Sequence, residues 1–172
     1  MKKLYIIVDV QNDFVSGSLG FEGADQVVLN IIEKLKKDES ADRVFTRDTH
    51  GSNYLETQEG RRLPVEHCIL GSEGWELDRR LQPFIKADSI IFNKPTFASL
   101  KLGNYLDHTD YDEIEVMGLV SNICVVSTCV MVKAACPETR IVVDTHCTDS
   151  FDQALHLKSL DILEGLQVDV IR

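Results

Sequence analysis

The sequence lacks several features that would assign it to a membrane or nucleic-acid-binding class. None of its apolar runs approaches the roughly 18 residues that a membrane-spanning helix requires. It has no cluster of basic residues, and 28 acidic against 18 basic side chains give a net charge of −10. Because phosphate binding needs clustered Lys and Arg, we expect neither nucleic acid nor an anionic membrane as a partner.

Paired cysteine motifs are also missing. The chain has five cysteines and no CxxC pair, which argues against a disulfide framework and against a thiolate zinc site. The first residues, MKKLYIIVDVQNDF, begin like a signal peptide, but the apolar run stops at Asp9 and no small-residue cleavage site follows. We therefore expect reduced thiols and a cytoplasmic location.

Length and composition are those of an ordinary globular domain. The 172 residues are 44% apolar and 27% charged, which suffices to bury a continuous core without disulfides or a structural metal. No internal repeat, low-complexity tract or linker interrupts the chain. The prediction is one domain that spans residues 1–172.

Short β-branched runs alternate with longer amphipathic segments. The runs are too short for helices and predict strands buried on both faces, at Leu4–Val10, Arg43–Thr46, Ser89–Phe92, Glu115–Met117, Arg140–Val143 and Gln167–Ile171. Helical spacing of apolar residues predicts helices at Ala24–Lys37, Trp75–Ile85, Ile123–Ala135 and Ser150–Leu163, the last capped by Ser150 or Asp149. This alternation predicts an α/β fold, a doubly wound six-stranded parallel sheet with helices on both faces.

Polar and reactive side chains follow the predicted strands, at the edge where open α/β sheets bind ligands. They are Asp9, Asp48 with His50, Lys94, the Gly118–Cys124 turn, and Asp144 with His146. An irregular stretch from Asp48 to Glu73 follows the second strand, and connections of that length are usually functional or disordered. We therefore expect the functional site at this edge.

Cys124 opens a predicted helix directly after a glycine-containing turn. Unpaired N–H groups and the helix dipole lower the pKa of a thiol in that position and can hold an oxyanion, so Cys124 is a candidate nucleophile. Most free cysteines are instead small buried apolar residues, and position alone leaves that alternative open. We interpret Cys129, Cys136 and Cys147 as packing residues.

Asp9 and Lys94 each end an apolar strand, where a charged side chain must be paired or lie at the rim. Asp9 can act as the base that activates a thiol, or it can close the strand–loop junction with hydrogen bonds. Lys94 can pair with Asp9 if their strands are neighbours, and is otherwise a solvent-facing lysine.

Asp48 and His50 lie two residues apart in an extended segment, so their side chains point the same way and can chelate one ion. His67, with Glu59 or Glu56, would complete a set of ligands suited to zinc, iron or manganese. The D-x-H pattern by itself is weak, because such residues often make only loop hydrogen bonds.

Together these segments resemble the isochorismatase-like cysteine hydrolases and, among them, the nicotinamidases. VDVQNDF is similar to the family's opening motif around its catalytic Asp, FNKPTFAS to its lysine segment and GLVSNICV to its nucleophile turn. Asp48-Thr49-His50 and LPVEHCILGSEGWEL resemble the two metal-ligand segments of the nicotinamidases. The motifs follow the family's order.

The resemblance implies an amidase that converts nicotinamide to nicotinate and ammonia, as in NAD salvage. By resemblance, Asp9, Lys94 and Cys124 form the catalytic triad, and Cys124 forms a thioester with the substrate. The oxyanion hole would consist of the backbone N–H groups of Val120 and Cys124. The family's cis peptide bond maps to Leu119–Val120.

The resemblance also implies a divalent metal ion that binds the ring nitrogen of the substrate. Zinc is our first choice, with iron or manganese as alternatives. Phe14 and Phe97 map near the substrate ring, whereas Pro64 stands where many nicotinamidases have an aromatic residue and predicts a different pocket wall. Relatives often form homo-oligomers, so we expect self-association. The implied ligands are Asp48, His50, His67 and Glu59, with Glu56 as the alternative to Glu59.

Two other functions stay open from the sequence. One is an amidase or carbamoyl hydrolase of the same superfamily that uses the triad without a metal. The other is a non-catalytic doubly wound binding protein in which Cys124 is merely packed and unreactive at neutral pH. Hydrolysis of a vinyl ether does not need a thiol nucleophile, which disfavours isochorismatase activity itself.

Overall fold

The apolar runs of the sequence form one parallel sheet in the computed structural model, which describes residues 1–172. The strands are β1 (Lys3–Val8), β2 (Asp42–Asp48), β3 (Ile90–Lys94), β4 (Glu113–Leu119), β5 (Arg140–Asp144), β6 (Thr148–Asp149) and β7 (Asp169–Ile171). The α-helices are α1 (Asn12–Val15), α2 (Ala24–Lys37), α3 (Leu100–Leu106), α4 (Val126–Ala135) and α5 (Gln153–Gly165).

The strand order is β3-β2-β1-β4-β5-β7, and every pairing is parallel. The predicted six-stranded doubly wound sheet is therefore confirmed. The two-residue β6 adds a short parallel pairing beside the end of β4. The chain runs outward from β1 through β2 to β3, then returns to pair β4 with β1, so the order reverses between β1 and β4. Open α/β sheets bind ligands at the carboxyl ends of the strands flanking such a reversal.

Alternate residues of β1 enter two separate hydrophobic cores. Leu4, Ile6 and Val8 pack with residues of α3, α4 and α5 on one face, whereas Tyr5 and Ile7 pack with residues of α2 on the other. All five side chains are at most 2% exposed. Two helical layers therefore cover the sheet and leave its carboxyl edge as the place where loops meet.

Helix α2 spans the predicted Ala24–Lys37 because its apolar positions recur at helical spacing. Helix α5 begins at Gln153, later than predicted, because Asp152 caps it by accepting a hydrogen bond from the N–H of Leu155 at 2.9 Å. Helix α3 was not predicted, since its seven residues are too few to show a periodic pattern. None of these helices combines the length and the hydrophobicity that a membrane span requires.

The helix predicted at Trp75–Ile85 is wrong. Only Arg79–Phe84 is helical, as a 3-10 turn that contains Pro83, and proline lacks the N–H that a longer helix needs. Leu77 instead pairs with Gln11 in an antiparallel bridge, which holds that part of the chain extended. The stretch from Asp48 to Glu73 is irregular as predicted, apart from one 3-10 turn.

Candidate active site

Three predicted catalytic side chains meet at the carboxyl edge of the sheet, and we call them the Cys124 cluster: Asp9, Lys94 and Cys124. The Nζ atom of Lys94 lies 2.5 Å from Oδ2 of Asp9 and 3.5 Å from Sγ of Cys124. Asp9 follows β1, Lys94 ends β3, and Cys124 lies in the turn after β4. All three are at most 5% exposed, so these groups interact in a medium of low polarity.

The Asp9–Lys94 pair does not require neighbouring strands, because β2 lies between β1 and β3. The lysine side chain reaches across β2 and passes 3.7 Å from Oδ1 of Asp48. Thr46, also on β2, donates a hydrogen bond from Oγ1 to Oδ1 of Asp9 at 2.6 Å. Thr46 was not predicted as a site residue, although its side chain points to the same face as that of Asp48 two residues later.

Burial raises the pKa of the Cys124 thiol well above its ordinary value, and the nearby Asp9 raises it further against the opposing charge of Lys94. Burial therefore raises the pKa of this thiol despite its place at the start of a helix. Burial also raises the pKa of Asp9, while Lys94 opposes that shift. Burial lowers the pKa of Lys94, but Asp9 and Cys124 outweigh it and raise the pKa overall, so the lysine stays cationic.

Cys124 lies in a π-helical turn, Ser121–Val125, that leads into α4. The peptide bond between Leu119 and Val120 is cis, as the resemblance implied. The N–H of Val120 donates to no backbone carbonyl. Gly118 allows β4 to approach β1 here, because its φ is +127° and a Cβ atom would lie 2.1 Å from the carbonyl oxygen of Val8.

The four predicted metal ligands also come together, and we call them the four-ligand cluster. One candidate ligand atom from each of the four lies within 4.8 Å of the others. Nε2 of His50 is 2.9 Å from Oδ2 of Asp48, and Nε2 of His67 is 3.4 Å from the same oxygen. Glu59 Oε1 is 3.6 Å from His50 Nε2, whereas Glu56 is exposed and outside the cluster. The members are Asp48, His50, Glu59 and His67.

The donor atoms of this cluster fit a divalent cation. Nδ1 of His67 lies 2.8 Å from the carbonyl oxygen of Val65, and since a carbonyl only accepts, Nδ1 carries the proton and Nε2 presents a lone pair. Oδ1 of Asp48 is buried without a hydrogen bond, as expected of an oxygen available to a cation. Two carboxylates with two imidazoles suit zinc, iron or manganese.

Side chains from the first loop position the four-ligand cluster. Gln11 is fully buried, accepts from the N–H of Asp48 at 2.7 Å and donates to its carbonyl oxygen at 2.9 Å. Asp13 accepts from the N–H of Cys68, next to His67, at 2.7 Å. Neither residue was predicted from the sequence, although each lies within four positions of Asp9.

A cavity of about 280 Å³ lies between the two clusters. Cys124 and the ligands Asp48, Glu59 and His67 contribute to its lining, while most other lining residues are apolar. The predicted substrate contacts Phe14 and Phe97 both line it, at 8% and 41% exposure. Lining residues that the sequence analysis did not identify are Ser18, Leu19, Gly20, Leu63, Ile123 and Phe151.

Two of the polar residues expected at this edge follow their strand as predicted but do not line the cavity. Asp144 forms an ion pair with Lys34 of α2, and it accepts from the N–H of His146 at 2.9 Å. His146 is exposed. Both residues therefore stabilise the packing of α2 against the sheet rather than the cavity.

Comparison with known proteins identifies the family of the chain. The family model described as the isochorismatase domain matches residues 3–172. The chain is 29% identical over 158 residues to a nicotinamidase/pyrazinamidase of Mycobacterium tuberculosis (strain ATCC 25618 / H37Rv), covering 81% of this chain and 83% of that protein. It is 26% identical to a nicotinamidase/pyrazinamidase of Bacillus subtilis, with a TM-score of 0.86 and all of both chains covered.

A pyrazinamidase of Pyrococcus horikoshii, solved in complex with zinc, shares the fold with a TM-score of 0.81 at 20% identity, covering 100% of this chain and 99% of that one. The family model extends over nearly the whole sequence. The chain belongs to the isochorismatase family and is a hydrolase of that family.

Proposed function

We propose that this protein is a metal-dependent nicotinamidase, which hydrolyses nicotinamide to nicotinate and ammonia. The observation that carries the proposal is the Cys124 cluster at one wall of an apolar cavity, with the four-ligand cluster at another. Similarity to two nicotinamidase/pyrazinamidase proteins supports hydrolysis of an amide C–N bond.

The first chemical step uses Cys124 as nucleophile and Asp9 as base. Because burial keeps the thiol protonated at neutral pH, its proton must leave as the sulfur attacks. Asp9, which shares the Lys94 ammonium group with the thiol, takes that proton. The sulfur then bonds to the amide carbon, and the carbonyl oxygen becomes an oxyanion.

The same carboxyl group completes the cycle. Asp9 returns its proton to the amide nitrogen, the C–N bond breaks, and ammonia leaves a thioester on Cys124. A water molecule then gives a proton to Asp9 and attacks the thioester carbon. The C–S bond breaks, the sulfur regains its proton, and the carboxylic acid is released.

Lys94 supports both halves of this cycle without exchanging protons. Its charge stabilises the Asp9 carboxylate at 2.5 Å and a developing thiolate at 3.5 Å. The N–H groups of Val120 and Cys124 are the proposed donors to the oxyanion. The N–H of Val120 is suited to that role because it donates to no backbone carbonyl.

A divalent ion would be held by the four-ligand cluster, and zinc is our first choice. When bound, it supplies a Lewis-acid contact for the ring nitrogen of the substrate. Phe14, whose ring centroid is 5.6 Å from that of His67, would pack on the aromatic ring of the substrate, and Phe97 would cover it from the solvent side. A small planar amide suits a cavity of about 280 Å³ with these walls.

Release of ammonia from nicotinamide by the purified protein tests the proposal. We expect release that is lost on treatment with a chelator, restored by zinc, and abolished in Cys124→Ala. The matched control is Cys129→Ala, which removes another buried thiol with no polar partner. Activity that survives chelation would favour a metal-free amidase. A wild-type protein that releases no ammonia would exclude nicotinamide as the substrate.

A further inference from the structure

Ser121 and His156 form a buried hydrogen bond behind the turn that carries Cys124. Oγ of Ser121 lies 2.8 Å from Nδ1 of His156, and the two residues are 0% and 8% exposed. Ser121 directly follows Val120, whose N–H is a proposed oxyanion donor, and His156 lies on α5. The bond therefore ties the turn after β4 to a helix 35 residues away in the chain.

The pair is not a second nucleophilic site. Ser121 is fully buried, so no substrate reaches its hydroxyl. The nearest carboxylate, Asp149, lies 3.8 Å from the same ring nitrogen that contacts Ser121. A serine–histidine–aspartate relay needs the carboxylate at the opposite ring nitrogen, so this geometry only fixes positions.

The structure also holds His156 itself in place. Leu119, which precedes the cis peptide bond, pairs with Asp149 of β6. Asp149 accepts from the N–H of Ser150 at 2.7 Å, and Asp152 caps α5 one turn before His156. The end of β4 and the start of α5 thus form one hydrogen-bonded corner around the Val120 peptide.

We infer that His156, acting through Ser121, is a positioning residue that aims the Val120 N–H at the oxyanion, an inference that rests on the proposed function. A donor stabilises an oxyanion only when it lies about 2.7–3.1 Å from the developing charge. Ser121 directly follows Val120, so loss of its bond to α5 loosens the backbone next to the Leu119–Val120 peptide, which carries the donor. Neither side chain touches the reacting atoms.

Two reagents separate positioning from simple reactivity of the thiol. Pyridine-3-carbaldehyde adds to the sulfur of Cys124 and forms a tetrahedral carbon whose oxygen occupies the oxyanion hole. Iodoacetamide forms an S–C bond and releases iodide without any such oxygen. Affinity for the aldehyde therefore reports the oxyanion donors together with binding of the pyridine ring, whereas the alkylation rate reports the thiol, and neither requires hydrolysis of an amide.

Ser121→Ala and His156→Leu are the test variants. We expect each to raise the dissociation constant of the aldehyde about tenfold or more and to leave the alkylation rate within about twofold of wild type. With nicotinamide, kcat should fall about 10- to 100-fold while KM changes little. The double variant should lose no more than either single variant, because both remove one bond.

His156→Asn and His156→Gln test the geometry. The amide of Asn is attached at Cγ, as Nδ1 is, and can reach Ser121, whereas the amide of Gln extends toward the Nε2 position. We expect Asn to retain aldehyde affinity within about threefold and Gln to lose it. The matched control is Ser159→Ala, another buried serine of α5, which donates to the carbonyl oxygen of His156 at 2.7 Å.

Several outcomes would overturn the inference. It fails if the test variants bind the aldehyde as wild type does, if alkylation falls in parallel with aldehyde affinity, or if Ser159→Ala weakens the aldehyde equally. It also fails if the wild type forms no aldehyde adduct. An adduct that depends on Ser121 in a protein that does not hydrolyse nicotinamide would keep the inference and reject the proposed substrate.

Discussion

Two clusters of charged residues occupy opposite ends of the sheet, and they differ in how their charges are balanced. At the amino ends of the strands, Lys3 lies 2.8 Å from Glu113 and 2.9 Å from Glu115. Arg140 also contacts Glu113, and Lys34 also contacts Glu115. We call this set the amino-end cluster; each of its two glutamates has two cationic partners, although Lys34 also contacts Asp144 and Arg140 also contacts Asp169.

The Cys124 cluster is balanced differently. Lys94 is its single cation, and it serves the carboxylates of Asp9 and Asp48 as well as the thiol of Cys124. Acceptors therefore outnumber cations in a fully buried place, and one carboxyl group keeps the capacity to take a proton. The comparison teaches that ion pairs alone do not indicate a catalytic site. A buried surplus of acceptors beside an apolar cavity does indicate one.

Among substitutions in the two clusters, replacement of Asp9 should have the largest effect on kcat. We expect Asp9→Asn to lower kcat for nicotinamide by about 100- to 10,000-fold, since an amide cannot take the thiol proton. Glu113→Gln in the amino-end cluster should leave kcat within about twofold. Steady-state ammonia release measures kcat of both variants. If kcat of Asp9→Asn lies within tenfold of the wild-type value, Asp9 is not the general base.

Loss of a cation should also destabilise the two clusters unequally. Lys94→Met leaves Asp9 buried without its partner, so the free energy of unfolding should fall by about 3–5 kcal/mol. Lys3→Met should cost about 1 kcal/mol or less, because Glu113 keeps Arg140 and Glu115 keeps Lys34. Urea denaturation measures the free energy of unfolding of both variants. Equal losses of stability would show that burial does not distinguish the two clusters.

The four-ligand cluster offers a matched pair of glutamates. Glu59→Ala should weaken zinc binding about tenfold or more, since the loss of a ligand costs at least as much as the loss of an outer-shell partner. Glu56→Ala should leave affinity unchanged, because Glu56 is exposed and outside the cluster. Competition with a chromophoric chelator gives both constants, and the opposite ranking would exchange the two ligand assignments.

The smallest effect should be the acid sensitivity of the amino-end cluster. Burial would raise the pKa of Glu113, but Lys3 and Arg140 outweigh it and lower the pKa below 4.5. Stabilisation by a depressed carboxyl pKa is complete above the ordinary value and is lost as pH falls through the folded-state pKa. Glu113→Gln should therefore reduce stability by about 1 kcal/mol or less at pH 7 and by less at pH 3. Denaturation curves of the wild type and of Glu113→Gln at the two pH values test this expectation. A loss of stability that is the same at pH 7 and pH 3 would contradict it.

Local patterns explain how much of the fold could be predicted. Helix α2 and the six main strands follow from periodicity and from β-branched runs, which are properties of neighbouring residues. The helix prediction for Trp75–Ile85 failed because the apolar spacing of this segment suits a helix, while Gln11 from another part of the chain holds Leu77 extended. Contacts distant in sequence override local spacing in such segments.

The candidate site was predicted in part for a similar reason. Asp9 and Lys94 are visible because they interrupt apolar strands, and Asp48 with His50 because they share a strand face. Gln11, Asp13 and Thr46 were missed, because their role is to hold backbone or carboxyl groups that only the folded chain brings near them. Glu59 became distinguishable from Glu56 only when the loop was folded.

By itself, the sequence determined the order of strands and helices and the positions where reactive groups leave the strands, because both depend on residues adjacent in the chain. Only the tertiary structure decided which of those groups meet. It carries Lys94 across β2 to Asp9, and it sends Asp144 to Lys34 instead of the cavity. It also decided the surroundings of Cys124, where burial raises the pKa of the thiol, and no local pattern encodes that burial.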